Sequence, residues 1–209
     1  SKRSRLSQLS AAMAGNESYI DLTDALTEAR ADGNVYNNTE DSVNAFGAYV
    51  IYRAVGKRVN DGTVLYGRDE LKFYTHLTPG RSVVRRAGVS EIVKNRTVSY
   101  TDDYKLAFNV GSSGSDAHVY TETKDGYLSD VSGNSFIIAV DSDTVYQLMP
   151  FFSNTYRYVS YVTSVDGRLL EYSGDTVVEF VSERNLGGLL DMTDIESGNY
   201  GAAGGYEED

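Results

Sequence analysis

Arg53 is the lone cation in an otherwise apolar run, Tyr49-Val50-Ile51-Tyr52-Arg53-Ala54-Val55. A planar guanidinium can hold a diphosphate through two parallel hydrogen bonds. Further along, Val98-Ser99-Tyr100-Thr101 carries small hydroxyls at the end of a second strand-like run, and Asp102-Asp103 follow at once. Such hydroxyls can hold a ribose or orient a carboxylate. An arginine and a Ser-x-Thr, each at a strand end, predict a cleft that takes a dinucleotide. Plainer readings stand beside this one. Arg53 also reads as a surface cation, and Ser99 and Thr101 as the cap of a helix whose first turn holds the two acids.

The other reactive side chains narrow the chemistry. The chain has no cysteine and two histidines. His76 and His118 lack a partner at metal-ligand spacing, so no metal is expected. Asp166-Gly167 reads as a two-residue hairpin turn. Glu171 reads as a solvent-facing strand residue.

Nineteen basic and thirty acidic residues leave a net charge of −11 over 209 residues. A protein that binds nucleic acid generally needs the opposite sign to displace counterions. A basic cluster of Arg81, Arg85, Arg86, Lys94 and Arg96 is the local exception, and it reads equally as a solvated face. No apolar run is long enough to span a membrane. The basic start, Ser1-Lys2-Arg3-Ser4-Arg5, is not followed by the apolar stretch of a secretory signal. Seventeen tyrosines, no tryptophan and two prolines favour half-buried strands and surfaces that pack on a partner.

The elements that must position these residues follow from periodicity. Leu6, Leu9 and Met13, then Ile20, Leu22, Ala25, Leu26 and Ala29, predict two helices broken near Gly15-Asn16 and ended by Gly33. A short helix through Val43, Ala45 and Phe46 precedes the strand that holds Arg53. Short strands are expected at Val64–Tyr66, Leu71–Leu77, Val83-Val84 and Ile92-Val93, and a helix over 102–109. Strands at Val119–Lys124, Tyr127–Val131, Ser135–Val140, Val145–Met149, Tyr156–Val165, Arg168–Tyr172 and Thr176–Ser182 complete the body, with a turn at Ser132-Gly133-Asn134. The fold class is α+β: N-terminal helices, then a mostly antiparallel β body of two packed sheets around a cleft, then a flexible acidic glycine-rich C-terminal tail. The divisions are 1–40, a basic arm with helices; 41–185, the β-rich core; and 186–209, the tail.

Taken in order, Tyr52-Arg53-Ala54, the turn Leu77-Thr78-Pro79-Gly80, Ser99-Tyr100-Thr101 and Ala107-Phe108 resemble the mono-ADP-ribosyltransferase family, in its arginine–serine–glutamate branch of small tailed-phage type. The resemblance covers roughly residues 45–182. It implies NAD as the substrate cofactor, bound by Arg53, Ser99 and Thr101, and a glycosyl transfer to a protein acceptor. In that family a glutamate faces the developing positive charge on the ribose. The matching register puts Asp166 and Arg168 where Glu-x-Glu would stand, and an arginine opposes a positive centre. Ser99 and the displaced Glu171 are then the catalytic candidates, or the chain is a degenerate copy. The alternative is a virion head, neck or tail protein whose arms are ordered by neighbouring subunits. These readings place the chain in a virion or host cytoplasm, with a homo-oligomer expected.

Overall fold

The computed structural model describes residues 4–37, 42–79, 92–100, 108–112, 118–123, 132–139, 142–162, 176–183 and 186. It is a mixed α/β structure. Helix α1 spans Arg5–Ala12 and α2 spans Thr23–Ala29. Ser4 caps α1 by accepting from the Ser7 amide at 3.1 Å, which satisfies one of the orphan donors of a helix start. The carboxylate of Glu183 accepts from the Leu6 amide at the same end, at 3.3 Å. Gly15, at φ +85°, lies in the break between the two helices. Ile20, Leu22, Leu26 and Ala29 press against the core from this side.

The apolar run around Arg53 is a helix and not the expected strand. Helix α3 spans Ala45–Val59 and buries Phe46, Tyr49, Tyr52 and Val55, every third residue along one face. The cap is Asn44, which the sequence reading passed over. Its Oδ1 accepts from the Gly47 amide at 3.0 Å, and its Nδ2 donates to the carbonyls of Asn34 and Tyr36 at 2.7 and 3.3 Å. One buried amide thus starts the helix and fastens the segment before it. Gly47 permits the close approach, since a Cβ there would stand 2.1 Å from the Val35 carbonyl oxygen.

Val64–Tyr66 carries no regular structure in the link from α3 to the strands. β1, Leu71–Pro79, pairs antiparallel with β2, Ile92–Tyr100, from Leu71↔Tyr100 to Pro79↔Ile92. A second sheet holds β3 (Phe108–Ser112), β4 (His118–Thr123), β5 (Ser132–Ala139), β6 (Tyr156–Val162) and β7 (Thr176–Glu179). Its order is β3-β4-β6-β5-β7. β3–β4 and β4–β6 are antiparallel, but β6–β5 and β5–β7 are parallel. The expected mostly antiparallel body is therefore mixed in this sheet. Phe108 and Asn109 belong to β3, so the helix expected over 102–109 does not include them. The expected turn at Ser132–Asn134 falls inside β5, where the register with β6 shifts between Ser132 and Ser135.

Parallel neighbours need a crossover, and helix α4, Ser142–Phe152, supplies it between β5 and β6. The strand expected at Val145–Met149 is the middle of this helix. Pro150 sits inside α4, and Asn154 and Thr155, just past its end, close it. Asn154 Nδ2 donates to the Pro150 carbonyl and Thr155 Oγ1 to that of Phe151, both at 2.8 Å. These bonds satisfy carbonyls that a helix end leaves open. Residues 83–84, 127–131, 166–172 and the tail beyond Leu186 lie outside the described residues.

The core lies where α3 meets α4 above the second sheet. Phe151 stacks on Tyr52 at 5.6 Å and Phe152 meets it edge-on at 5.4 Å. Ile138, Val159 and Tyr161 bring the sheet into the same cluster. Among the described residues no helix is long and apolar enough to cross a membrane.

Candidate active site

The parallel part of the sheet ends along one line. Ala139 is the last residue of β5, and it pairs with Val162 at the end of β6 and with Glu179 at the end of β7. Val162 also pairs with His118, the first residue of β4. His118, Val162, Ala139 and Glu179 therefore form one row across the sheet edge. With neighbouring strands ~4.8 Å apart, the row is roughly 14 Å long. Open sheets with parallel strands take their ligands outside the carboxyl ends of those strands. The next described element after Ala139 is α4, whose first residue is Ser142.

The sequence dictates this placement. Phe136-Ile137-Ile138-Ala139 is an apolar run suited to a strand flanked on both sides. Val145, Leu148, Met149 and Phe152 then recur at helical spacing. The change of period falls at Asp141-Ser142, between the two. Ile138 and Val162 are buried, so the line of strand ends rests on an apolar base. The first amides of α4 have no partner within the helix and carry its positive end. An oxygen that gains negative charge is stabilised by donors of that kind.

Glu179 is the carboxylate in the row. Its side chain is exposed. Burial of the rest of its surroundings holds the carboxyl above the usual carboxylate range, because low polarity disfavours the charged form. Among the described residues it pairs with β5, which contributes no ionisable side chain.

Of the residues singled out from the sequence, Arg53 and Ser99 lie elsewhere. Arg53 is on α3, and its Nη1 donates to the carbonyls of Leu65 and Tyr66 at 3.0 and 2.9 Å. Ser99 is on β2, paired with Lys72. Thr101 and Glu171 lie outside the described residues, as do Asp102, Asp103 and Asp166-Gly167. His76 pairs with Asn95 inside the β1–β2 ladder. Among the described residues no group of three His, Cys, Asp or Glu could hold a metal ion. Ser142 and the row at the strand ends were missed. The signal that could have found Ser142 was the switch from a strand pattern to a helical one on either side of it.

No family model matches the chain, and no curated protein matches it. Solved structures of similar shape include a DHHW family protein from Eubacterium siraeum, with 13% identity and a TM-score of 0.48. They also include PatB1 of Bacillus cereus with a sulfonyl adduct, at 11% and 0.48, and the O-acetyltransferase domain of Pseudomonas putida AlgJ, at 18% and 0.45. They cover 74%, 77% and 87% of this chain, and the chain spans 61%, 67% and 65% of theirs. At these scores the likenesses carry no argument about what this chain does. They are nonetheless proteins of other kinds than those expected. The resemblance to mono-ADP-ribosyltransferases is corrected by α3, a helix that stands where that family's arginine-bearing strand should be. NAD-dependent glycosyl transfer and the virion alternative are withdrawn with it.

Proposed function

We propose that the chain is a serine-dependent acyl-transfer enzyme with Ser142 as the nucleophile. One observation carries the reading: Ser142 is the first residue of α4, the helix that follows β5 in the chain, and β5 is the middle one of three parallel strands. A serine at a strand-to-helix turn is a recurring placement for an acyl-accepting hydroxyl. The helix begins after the ligand-binding end of the parallel strands, and its start offers amides to the oxyanion. The local sequence, Val140-Asp141-Ser142-Asp143-Thr144, lacks the glycines of the common serine-elbow motif. Two flanking acids disfavour an anionic acyl donor and suit a neutral ester. The acyl group then passes from Ser142 to water or to an acceptor hydroxyl.

A sulfonyl fluoride tests this directly. Incubation with phenylmethanesulfonyl fluoride and peptide mass spectrometry should find the adduct on the peptide that contains Ser142. Hydrolysis of p-nitrophenyl acetate should be lost in Ser142→Ala. A wild-type protein left unmodified at Ser142, with ester turnover equal to that of Ser142→Ala, would sink the reading.

A further inference from the structure

Helix α1 is not anchored by a core. None of its residues is buried. Leu6, Leu9 and Met13 are half-buried and stand outside the core cluster, whereas Ile20, Leu22, Leu26 and Ala29 of the segment that follows pack against it. We propose that α1 is an acid-released segment, clasped near its two ends by the carboxylates of Glu183 and Asp21.

The first clasp is long-range. Leu6 lies in the first turn of α1, and its amide donates to Glu183 Oε1 at 3.3 Å across 177 positions. A carboxylate there also meets the positive end of the helix. The second clasp is in the last turn. Ser10 Oγ donates to Asp21 Oδ2 at 2.5 Å and shares a 2.9 Å hydrogen bond with the Tyr19 hydroxyl. Asp21 belongs to the side that stays, because its Oδ1 accepts from the Thr23 amide at 2.9 Å, at the start of α2. The linker is pinned as well. Arg58 Nε, in the last turn of α3, donates to the Glu17 carbonyl at 2.6 Å. Gly15, at φ +85°, lies between that pin and α1, so the part able to leave is residues 4–14.

Both clasps draw on negative charge. A protonated carboxyl accepts a hydrogen bond more weakly than a carboxylate does, and it no longer complements a helix dipole. Hydrogen bonds from Ser10 first, then from Thr23, hold the Asp21 carboxyl below the usual carboxylate range. Such a group contributes stability that is whole above its unfolded value, ~3.9, and is lost as pH falls through the lower folded value. Release is therefore an acid event. The ionisable groups on the elements around the clasps are Arg5 on α1, Glu17 and Tyr19 in the linker, Asp24 on α2, Arg58 on α3 and Glu179 on β7. Tyr19 meets the Asp21 clasp through Ser10, and Arg58 is turned to the Glu17 carbonyl. Among the described residues no charged side chain contributes to the lowering of Asp21.

The chain has no cysteine, so one reporter site can be introduced cleanly. Ala11 is exposed on α1. Ala11→Cys in the full chain carries a nitroxide, and its spectrum is followed from neutral to acid pH beside the near-UV circular dichroism of the buried tyrosines. At neutral pH the lines should be those of a helix surface. Sharp, mobile lines should grow in below pH ~4 while the near-UV signal persists. Ser10→Ala combined with Glu183→Gln, in the labelled chain, should show the mobile lines already at neutral pH, on an intact core. A nitroxide that keeps helix-surface mobility until the near-UV signal is lost overturns the proposal. A double variant as ordered at neutral pH as the wild type overturns it too, since the clasps would then hold nothing.

Discussion

Tyr52 and Thr155, 103 positions apart, share a 2.8 Å hydrogen bond in the centre of the protein. The bond is one link in a directed chain. The Tyr66 amide donates to the Tyr52 hydroxyl at 3.1 Å, and Thr155 Oγ1 donates to the Phe151 carbonyl at 2.8 Å. Three segments, α3, the link after it and the end of α4, are therefore tied at one buried hydroxyl. Tyr52→Phe keeps the ring packing but takes away the acceptor of a buried amide. It should cost about 1–3 kcal/mol, read by urea denaturation. Thr155→Val should cost a similar amount, and the double variant less than the sum, because both break the same link. Additive losses would mean that the two hydroxyls act independently.

The same tyrosine predicts how stability responds to alkali. Burial pushes the Tyr52 hydroxyl up to about 12, and burial also raises Tyr156. In the unfolded chain a tyrosine gives up its proton near pH ~10. Between those values the unfolded state has lost protons that the folded state still holds, so stability falls as pH rises. The contribution is whole below pH ~10 and declines above it, by up to about 1.4 kcal/mol per pH unit for each such tyrosine. Denaturation midpoints taken at rising pH should show the decline, and Tyr52→Phe should flatten it. An equal slope in wild type and variant would rule out Tyr52 as a source.

How far the sequence could be read depended on the period of each segment. β1 and β6 carry strand-like sequences, and both stand where the sequence reading put strands. α3 and α4 were read as strands for one physical reason. Tyr49–Val55 and Val145–Met149 are short apolar runs, and a run without polar spacers fits a buried strand as well as a buried helix. Gly47, Gly56 and Pro150 lower helix propensity further, and packing overrides them. The parallel pairing of β5 with β6 and β7 has no local signature at all. It follows from α4, so reading α4 as a strand hid the crossover and the strand-end row together. Arg53 misled by its type. Set mid-helix, its Nη1 is held by two backbone carbonyls of its own chain.

The two glycines of α3 should respond differently to alanine. Alanine gains about 1 kcal/mol over glycine in a helix interior. At Gly47 the new Cβ would meet a backbone carbonyl, that of Val35, at 2.1 Å. Neither helix nor strap can yield without straining the Asn44 bonds. At Gly56 the obstacle is the Leu65 side chain, at 2.5 Å, which is partly buried and can rotate. Gly47→Ala should therefore lower the melting temperature by a loss of about 1–3 kcal/mol, and Gly56→Ala by much less. Equal effects would mean that the strap over α3 is free to move.

Arg53 is the last test, because it separates a structural cation from a ligand-binding one. Its two hydrogen bonds run from a partly buried guanidinium to the carbonyls of Leu65 and Tyr66. Tyr49 donates its hydroxyl to the Tyr66 carbonyl as well, at 3.3 Å. Removing the charge leaves Leu65 without this donor and weakens the hold on the link between α3 and β1. Arg53→Met, which keeps much of the aliphatic length, should cost about 1.5–3 kcal/mol, the range for bonds to a charged donor. The two hydrogen bonds of Arg53 go to Leu65 and Tyr66 and not to β5 or β7, so ester turnover per folded molecule should stay at the wild-type value. Differential scanning calorimetry alongside the p-nitrophenyl acetate assay reads both. A variant of unaltered stability with lost turnover would reverse the assignment and return Arg53 to the candidate site.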